Sequence, residues 1–171
     1  INASIFNCRK LKEVISFLES GSRPTGGVSN IPDGVLSFGG EHVNDRCEIE
    51  ILKPKYIPIE FHEKIKNTET KLLDILLVKD GATTGKIGIL ENPEFENQNI
   101  NEHVFMIRAN EEINPYYLVY FLHSKAGQIQ IQRVITGATV TGLTKDVVRN
   151  LIIPYPSQNK QNEIANHIQD I

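Results

Sequence analysis

The stretch LLDILLVKDGATTGKIGIL, residues 72–90, places two apolar runs on either side of a glycine-rich segment. A phosphate-binding loop needs four residues between its glycines and a hydroxyl residue after its lysine. Here Gly81 and Gly85 enclose three residues, and Ile87 follows Lys86. The segment after the loop alternates and is β-branched, whereas a phosphate-binding loop opens a helix. We therefore predict a β-hairpin with a glycine-rich turn and no nucleotide site.

The composition is that of one globular domain, alone or with appended elements. Of the 171 residues, 40% are hydrophobic and 23% are charged, which is ordinary for a protein with a buried core. The sequence has no apolar run long enough to span a bilayer and no signal-like start, so we expect no membrane partner. Cys8 and Cys47 lie far apart and outside any metal-binding spacing. We expect both to be buried thiols in a reducing cytoplasm.

Charge is segregated along the chain. The net charge is −3, whereas nucleic-acid-binding domains are often basic. Residues 91–112 carry six acids and one arginine, a local charge of −5, and residues 125–149 carry four bases and one aspartate, a local charge of +3. A solvated surface without a charged partner does not require this segregation. Random scatter over surface loops is the alternative explanation.

The first two thirds of the chain are predicted to be mainly β structure after one N-terminal helix. A helix is predicted over 8–21, with Gly21 as its stop, because four apolar residues share one helical face: Leu11, Val14, Ile15 and Leu18. A long loop follows over 20–34. Further elements are short strands over 35–40, 47–52 and 102–109 and a short helix over 57–65 with Pro58 near its first turn.

The last third is predicted to be helical. Asn114 and Pro115 are typical of the cap and first position of a helix, here predicted over 114–133. Three elements follow: a short helix over 145–151 capped by Thr144, an extended stretch over 152–156, and a last helix over 158–171 capped by Ser157. Strands first and helices later favour an α+β fold over a wound parallel sheet.

The sequence contains no specific catalytic or metal-binding pattern. Its histidines lack metal-ligand spacing, and Glu41-His42 and Glu102-His103 are predicted to be polar surface positions. A methyltransferase would need an adenosylmethionine glycine loop and an N/D-P-P-Y/F motif, and neither occurs. A metal-dependent nuclease of the PD…ExK type is the main alternative, since Asp33, Glu69 and Lys71 match the residue types of that motif. Asp33 lies in a predicted turn and Glu69 precedes its strand, so nothing local gathers carboxylates around Mg²⁺.

Two loops share a Gly-Ala-Thr sequence. Residues 81–86 are GATTGK, and residues 137–143 are GATVTGL. Chance repetition of turn residues would explain the pattern. The alternative is that both loops present threonine hydroxyls, backbone N–H groups and a lysine to one polyanionic or base-edge surface.

Taken in order, four segments resemble one target recognition domain of a type I restriction-modification specificity subunit. They are KLKEVISFLESGSRPTGG (10–27), LLDILLVKDGATTGKIG (72–88), INPYYLVYFLHSKAGQIQI (113–131) and GATVTGLTKDVVRNLIIPYPSQNKQNEIANHI (137–168). The closing segment is the specific one, with Gly-Leu-Thr, a short helix, Ile-Pro and then a Gln-x-Glu-Ile helix. The chain is also similar to the equivalent domains of type IIG and IIB enzymes.

The resemblance implies a domain that recognises double-stranded DNA and has no catalytic centre of its own. It implies an α+β fold with a mixed, strongly curved β-sheet region, glycine-rich hairpin loops, helices in the C-terminal third and the start of a spacer helix. Such a domain reads one half of a bipartite target. The implied partners are an adenine-N6 DNA methylation subunit or domain and a second target recognition domain. S-adenosylmethionine is expected on the methylation partner, and no cofactor is expected on this chain.

The resemblance does not locate the DNA contacts, so we select them by chemistry. Phosphates are bound by Lys, Arg, Thr and backbone N–H groups on loops, and bases by side chains with bidentate reach. Such residues occur in loops 20–34, 79–86 and 133–145. The predicted DNA-binding residues are Arg23, Thr25, Asn30, Lys79, Thr83, Thr84, Lys86, Arg133, Thr136, Thr139, Thr141 and Lys145.

The C-terminal helix is predicted to bind another helix. We place the DNA-binding domain at residues 1–156 and the start of the spacer helix at 157–171. Ile164, Ile168 and Ile171 recur at seam spacing, which favours a helix partner over a broad core face. We expect aspartate at both Ile164 and Ile168 to leave the DNA-binding loops folded and to abolish association with a second domain or a methylation subunit. A protein-interaction module built on this helix alone is a further alternative.

Overall fold

The computed structural model describes residues 7–28, 31–137 and 142–170, and it shows a mixed α+β fold. The strands are β1 (Cys8–Lys10), β2 (Ile15–Ser20), β3 (Val35–Phe38), β4 (Tyr56–Ile57), β5 (Ile75–Val78), β6 (Ile87–Ile89), β7 (Asn99–Ile100), β8 (Val104–Ala109) and β9 (Ile152–Pro154). The helices are α1 (Ile59–His62), α2 (Pro115–His123), α3 (Lys125–Gly137), α4 (Lys145–Arg149) and α5 (Gln158–Gln169). No helix in this part of the chain has both the length and the apolar character to cross a membrane.

A four-stranded antiparallel sheet in the order β2-β8-β5-β6 forms the centre of the molecule. The predicted hairpin is confirmed: β5 pairs with β6, and Ile75 lies opposite Ile89. The predicted strand near 102–109 is also confirmed as β8, which pairs with β2 on one side and β5 on the other.

Both faces of the central sheet are covered. On β5, Ile75 and Leu77 point into the larger core cluster, which includes the C-terminal helices. Leu76 and Val78 point into a second cluster around Phe38 of β3. Successive strand residues point to opposite faces, so a strand buried on both sides must be continuously apolar, and this explains the run ILLV in β5.

Two smaller sheets complete the fold. The second sheet has three strands in the order β4-β3-β7. Its central strand β3 pairs antiparallel with β4 and parallel with β7. The third sheet joins β1 to β9, with Cys8 opposite Pro154, so the start of the described chain lies beside the segment that precedes α5.

The predicted N-terminal helix is wrong, because residues 15–20 form β2 against β8. The buried residues Leu11, Val14 and Leu18 have helical spacing, but a 3-10 turn over Leu11–Glu13 and a bulge between Ile15 and Phe17 place them in the core without a helix. Gly21 does not end a helix. A Cβ at this position would lie 1.8 Å from the Ile100 carbonyl oxygen, so the close approach of two backbones requires glycine.

Two other local predictions are wrong. Residues 47–52 form isolated bridges, Val43 to Ile49 and Glu48 to Ile89, and no strand. Cys8 is exposed, whereas Cys47 is buried as predicted. Burial raises the pKa of the Cys47 thiol to about 11, which keeps it protonated and unreactive.

The predicted helix over 114–133 is two helices, α2 and α3, separated at Ser124. Ser124 has an extended backbone (ψ 160°). Its hydroxyl donates to the Phe121 carbonyl (2.6 Å) and accepts from the Gly127 N–H (3.3 Å). One side chain therefore bonds backbone groups of both helices, which satisfies groups that a helix end leaves without partners.

Most helix starts agree with their sequence signals. The Asn114 side chain accepts from the N–H groups of Tyr116 and Tyr117, with Pro115 in the first turn, and Thr144 accepts from Val147. Pro58 precedes the short helix α1. Ser157 occupies the cap position of α5, but its side chain makes no capping hydrogen bond.

Candidate nucleic-acid interface

Three loops leave the central sheet at the same edge. Strand β8 runs antiparallel to β2 and β5, so its start lies beside the ends of the other two. Ser20 and Lys79 both bond to residues 101–103: the Ser20 hydroxyl donates to the Glu102 carbonyl (3.3 Å), and the Lys79 N–H donates to the His103 carbonyl (2.9 Å). We call the surface formed by residues 21–28, 79–86, 101–103 and 142–145 the loop edge.

The hairpin turn at the loop edge is compact and is not a phosphate-binding loop. Gly81 and Gly85 have backbone φ values of 90° and 94°, which residues other than glycine rarely adopt. The Thr84 hydroxyl donates to the Gly81 carbonyl (2.6 Å), so it is occupied within the turn. Strand β6 follows the turn, where a phosphate-binding loop would open a helix.

The end of the second Gly-Ala-Thr loop contacts the first. The Leu143 N–H donates to the Lys79 carbonyl (2.7 Å), and a Cβ at Gly142 would lie 3.0 Å from the same oxygen. Residues 138–141, which include Thr139 and Thr141, lie outside the described residues. The described part of this loop therefore lies at the same surface as the hairpin turn.

Three predicted cations at the loop edge are paired with carboxylates from distant segments. Arg23 bonds Glu102 (2.9 Å), and Lys86 bonds Asp45 (2.7 Å). Lys145 bonds Glu19, a residue 126 positions away.

Lys79 is held differently, since its ammonium lies 5.5 Å from the centre of the Phe105 ring. Each of these four cations therefore has a partner within the protein.

A chain of polar contacts links the hairpin to the 21–28 loop. The His103 ring contacts Asp80 (2.5 Å) through Nδ1 and Glu102 (3.3 Å) through Nε2, and Glu102 contacts Arg23. Glu102 and His103 therefore belong to the same network. Two adjacent residues on a strand would have pointed to opposite faces, but these two lie in the turn before β8.

His103 is exposed and Glu102 is half-buried, so their predicted surface positions are confirmed. The predicted surface position of His42 is wrong, because His42 is buried and its Nδ1 accepts from the Gly39 N–H (2.9 Å).

A cleft of about 190 Å³ opens beside this network. Three of its polar lining residues, Lys55, Asn101 and His103, were absent from the sequence prediction. Lys55 forms an ion pair with Glu41. Burial alone would raise the pKa of Glu41, but the hydrogen bond from Lys55, with smaller electrostatic contributions, lowers it overall. Lysine, amide and imidazole groups in one cleft suit contacts to phosphates and base edges.

The remaining predicted DNA-binding residues have varied positions. Thr25 and Thr83 are exposed at the loop edge. Arg133 lines a separate groove between α3 and α4 with Gln130 and Asp146. The backbone of Thr136 belongs to α3, but its side chain is not described, and Asn30 lies outside the described residues.

Two glutamines of α3 lie next to the hairpin turn and were missed by the sequence prediction. The Gln128 amide donates to the Gly85 carbonyl (3.0 Å). A Cβ at Gly85 would lie 3.6 Å from Nε2 of Gln132. Their signal in the sequence was the alternation of glutamine and isoleucine over residues 128–132, which carried no indication of the turn that the glutamines contact.

The proposed nuclease residues do not form a metal site in the part of the chain that the structure describes. The Glu69 carboxylate contacts the Nε2 of the buried residue His62 (3.0 Å). The other ring nitrogen of His62 contacts the Asn99 side chain. Residues 7–28, 31–137 and 142–170 contain no group of three His, Cys, Asp or Glu side chains able to hold a metal ion.

Helix α5 packs on the domain through one face. Its fully buried residue Gln161 accepts from the Asn114 N–H (2.8 Å) and donates to the Pro156 carbonyl (3.0 Å). Ile164 packs partly against the main core, whereas Ile168 is 39% exposed. Ile171 lies outside the described residues. Only part of the predicted isoleucine row therefore faces solvent.

The chain matches a family model over nearly its whole length. The model is described as the type I restriction modification DNA specificity domain, and it matches residues 6–171. No curated protein sequence matches the chain at a significant level.

Several solved structures share the fold. A chain described under "complex assembly and conformational transition of the type I R-M system" has a TM-score of 0.71 at 17% identity, with 99% of this chain and 39% of that chain covered. The HsdS subunit from Thermoanaerobacter tengcongensis gives 0.68 at 16% identity, covering 99% and 38%. The type IIG restriction endonuclease BpuSI gives 0.65 at 10% identity, covering 96% and 26%. The chain thus spans two fifths or less of the length of these structures.

Proposed function

Because this chain belongs to the family of type I restriction modification DNA specificity domains, we propose that its loop edge reads a short sequence in double-stranded DNA. The observation that carries the proposal is the convergence of the segments 21–28, 79–86 and 142–145 at the loop edge, where they bring together Arg23, Lys79, Lys86 and Lys145. Lysine and arginine supply affinity and register through phosphates, and sequence is read by side chains that reach base edges. No residue is assigned a catalytic role.

The proposed contact residues fall into two groups. Phosphate contacts are proposed for the cations of the loop edge and for the exposed hydroxyls of Thr25 and Thr83. Base contacts are proposed for side chains with amide or guanidinium groups, because these bond two base atoms at once. The full set remains Arg23, Thr25, Asn30, Lys79, Thr83, Thr84, Lys86, Arg133, Thr136, Thr139, Thr141 and Lys145, to which the cleft adds Lys55 and Asn101.

Selection from a random-sequence DNA duplex pool tests this function. The full chain is immobilised, the bound duplexes are sequenced over successive rounds, and binding is repeated with Lys79→Ala as a matched variant. We expect enrichment of one short motif by the wild-type chain and weaker recovery of all duplexes by the variant. Bound DNA without any enriched sequence would contradict sequence recognition, and cleavage of a plasmid in Mg²⁺ that Glu69→Gln abolishes would favour the nuclease.

We further propose that the chain reads one half of a bipartite target as part of a larger enzyme. The proposed partners are a second target recognition domain and an adenine-N6 methylation subunit or domain, which would hold S-adenosylmethionine. The likeness to both type I and type IIG structures supports a restriction-modification setting, and the cytoplasm is its proposed location. A strongly curved sheet region with glycine-rich loops around the DNA is part of the same proposal.

Residues 1–156 are proposed as the DNA-binding unit and 157–171 as the start of a spacer helix. Supporting this division, α5 follows an extended stretch that contains Pro154 and Pro156 and leaves Ile168 exposed. A single exposed apolar side chain on a helix whose neighbours are Gln, Asn, Glu and His suits a narrow helix–helix contact. Ile164, Ile168 and Ile171 remain the proposed partner-facing row, with Ile164 shared between that row and the core of the domain.

A further inference from the structure

The cations of the loop edge share one feature: each ion pair joins segments far apart in the sequence. Lys86 on the hairpin turn pairs with Asp45, Lys145 at the start of α4 pairs with Glu19 on β2, and Arg23 pairs with Glu102. Helical neighbours pair elsewhere, as Lys160 does with Glu163 on α5 (2.7 Å). The loop-edge pairs are formed by the tertiary fold.

The pair of Lys86 with Asp45 contributes little to stability. Asp45 has a side chain that is 86% exposed, and ion pairs between exposed side chains are weak because solvent screens them. The contact is nevertheless direct, with Lys86 Nζ 2.7 Å from Asp45 Oδ1, and the hydrogen bond from Lys86 lowers the pKa of Asp45. A contact of 2.7 Å that adds little stability still changes the charge that Lys86 presents to a ligand.

A carboxylate on a DNA-binding cation competes with phosphate for the same ammonium or guanidinium. Binding to DNA of any sequence is driven by the release of counterions as cations neutralise phosphates. A lysine that is already neutralised by an aspartate brings no net charge to the backbone, so it releases fewer counterions. Contacts to base edges, by contrast, do not depend on net charge in this way.

We propose that Asp45, Glu19 and Glu102 are specificity-determining residues that suppress binding to non-target DNA. They occupy the cations of the loop edge until a duplex also offers base contacts that compensate for breaking the ion pairs. This inference rests on the proposed DNA-reading function and assigns a task to acidic residues on that surface. It also accounts for a DNA-binding surface on a chain whose net charge is −3.

Asp45→Asn tests the proposal, with Glu163→Gln as its control. Both substitutions remove one negative charge from an exposed ion pair with lysine, so the net charge changes equally. Asp45→Asn should strengthen binding to a random-sequence duplex. The slope of log affinity against log salt concentration should become steeper by about 0.9, so that the affinity falls about 3.5-fold more between about 50 and about 200 mM salt. Affinity for a selected target should change less, so that the ratio of target to random affinity falls.

Two results would overturn the proposal: equal effects of Asp45→Asn and Glu163→Gln, or no effect of Asp45→Asn on random DNA. Glu19→Gln is the second variant and should act in the same direction through Lys145. The double variant Asp45→Asn with Lys86→Ala should lose the gain, because the released ammonium is then absent. If the wild-type chain selects a motif and Asp45→Asn has the same ratio of target to random affinity, only this proposal fails. If the wild-type chain selects no motif, the proposed function fails.

Discussion

Lys86 is the residue that most directly separates a DNA-binding hairpin turn from a nucleotide-binding loop. Its ammonium lies beside Asp45 at the outer surface of the turn, and β6 follows it. We expect Lys86→Ala to weaken binding to a selected target duplex and to flatten its salt dependence by roughly one counterion, because one phosphate contact is lost. Binding to random-sequence duplexes should change less, because Asp45 holds the Lys86 ammonium there. Fluorescence anisotropy over a series of salt concentrations measures both quantities.

Lys160→Ala is the matched control for this prediction, since Lys160 is an exposed lysine paired with Glu163 on α5. It should leave the salt dependence of DNA binding unchanged. The hairpin assignment is wrong if Lys86→Ala alters neither affinity nor salt dependence while the chain binds ATP.

Arg108 is a residue on which stability depends. It donates two hydrogen bonds of 2.7 Å to the fully buried Asp74 and lies over the Phe17 ring. Burial raises the pKa of Asp74 even with this partner present. Arg108→Leu should lower the free energy of unfolding by about 3 kcal/mol, because it leaves a buried carboxylate without its partner. Urea denaturation measures the loss.

Arg149→Leu provides the comparison, because Arg149 and Asp146 are 4.0 Å apart on exposed positions of one helix. Its effect on unfolding should be small. Equal stability of the Arg108→Leu variant and the wild-type chain would show that the Asp74 pair carries no stabilising role.

At the scale of the element, α5 combines a structural face with an exposed one. Ile164 packs against the core and Ile168 is exposed. We therefore expect Ile168→Asp to abolish association with a partner helix and to leave the domain folded, whereas Ile164→Asp destabilises the domain as well. Analytical ultracentrifugation of the chain reports association, and circular dichroism reports folding.

Ile129 on α3 offers a matched control, because it is 41% exposed and belongs to another helix. Ile129→Asp should preserve association. Loss of the whole fold on Ile168→Asp would show that this end of α5 belongs to the core, and unchanged association would remove Ile168 from the interface.

At the scale of the whole molecule, the arrangement of charge matters more than its sum. The net charge is −3 and the sequence pI is about 6.0, yet five cations gather near the loop edge: Arg23, Lys55, Lys79, Lys86 and Lys145. We predict that the logarithm of the affinity for a selected target duplex falls with the logarithm of salt concentration with a slope between about −2 and about −5, since each phosphate contact contributes about 0.9. A slope near zero would contradict a phosphate-binding surface.

The sequence by itself determined the elements whose signals are local. The hairpin follows from the two apolar runs on either side of Gly81 and Gly85, and α2 begins after Asn114 because that side chain can cap the first N–H groups. The closing segment with Thr144 likewise identified the family, which the match over residues 6–171 shows. Each of these signals lies within a few residues, so no knowledge of the rest of the fold was needed.

Only the tertiary structure decided what distant segments do to one another. Leu11, Val14 and Leu18 have the spacing of one helical face, but pairing of residues 15–20 with β8 placed Leu18 on a strand and left Leu11 in a 3-10 turn. The loops proposed to bind DNA were chosen by chemistry, whereas the cleft lined by Lys55 and Asn101 was found only in the structure. Ion pairs such as Lys145 with Glu19 join residues 126 positions apart. Their existence depends on the whole packed arrangement, because a charge has no partner until the chain brings one within a few ångströms.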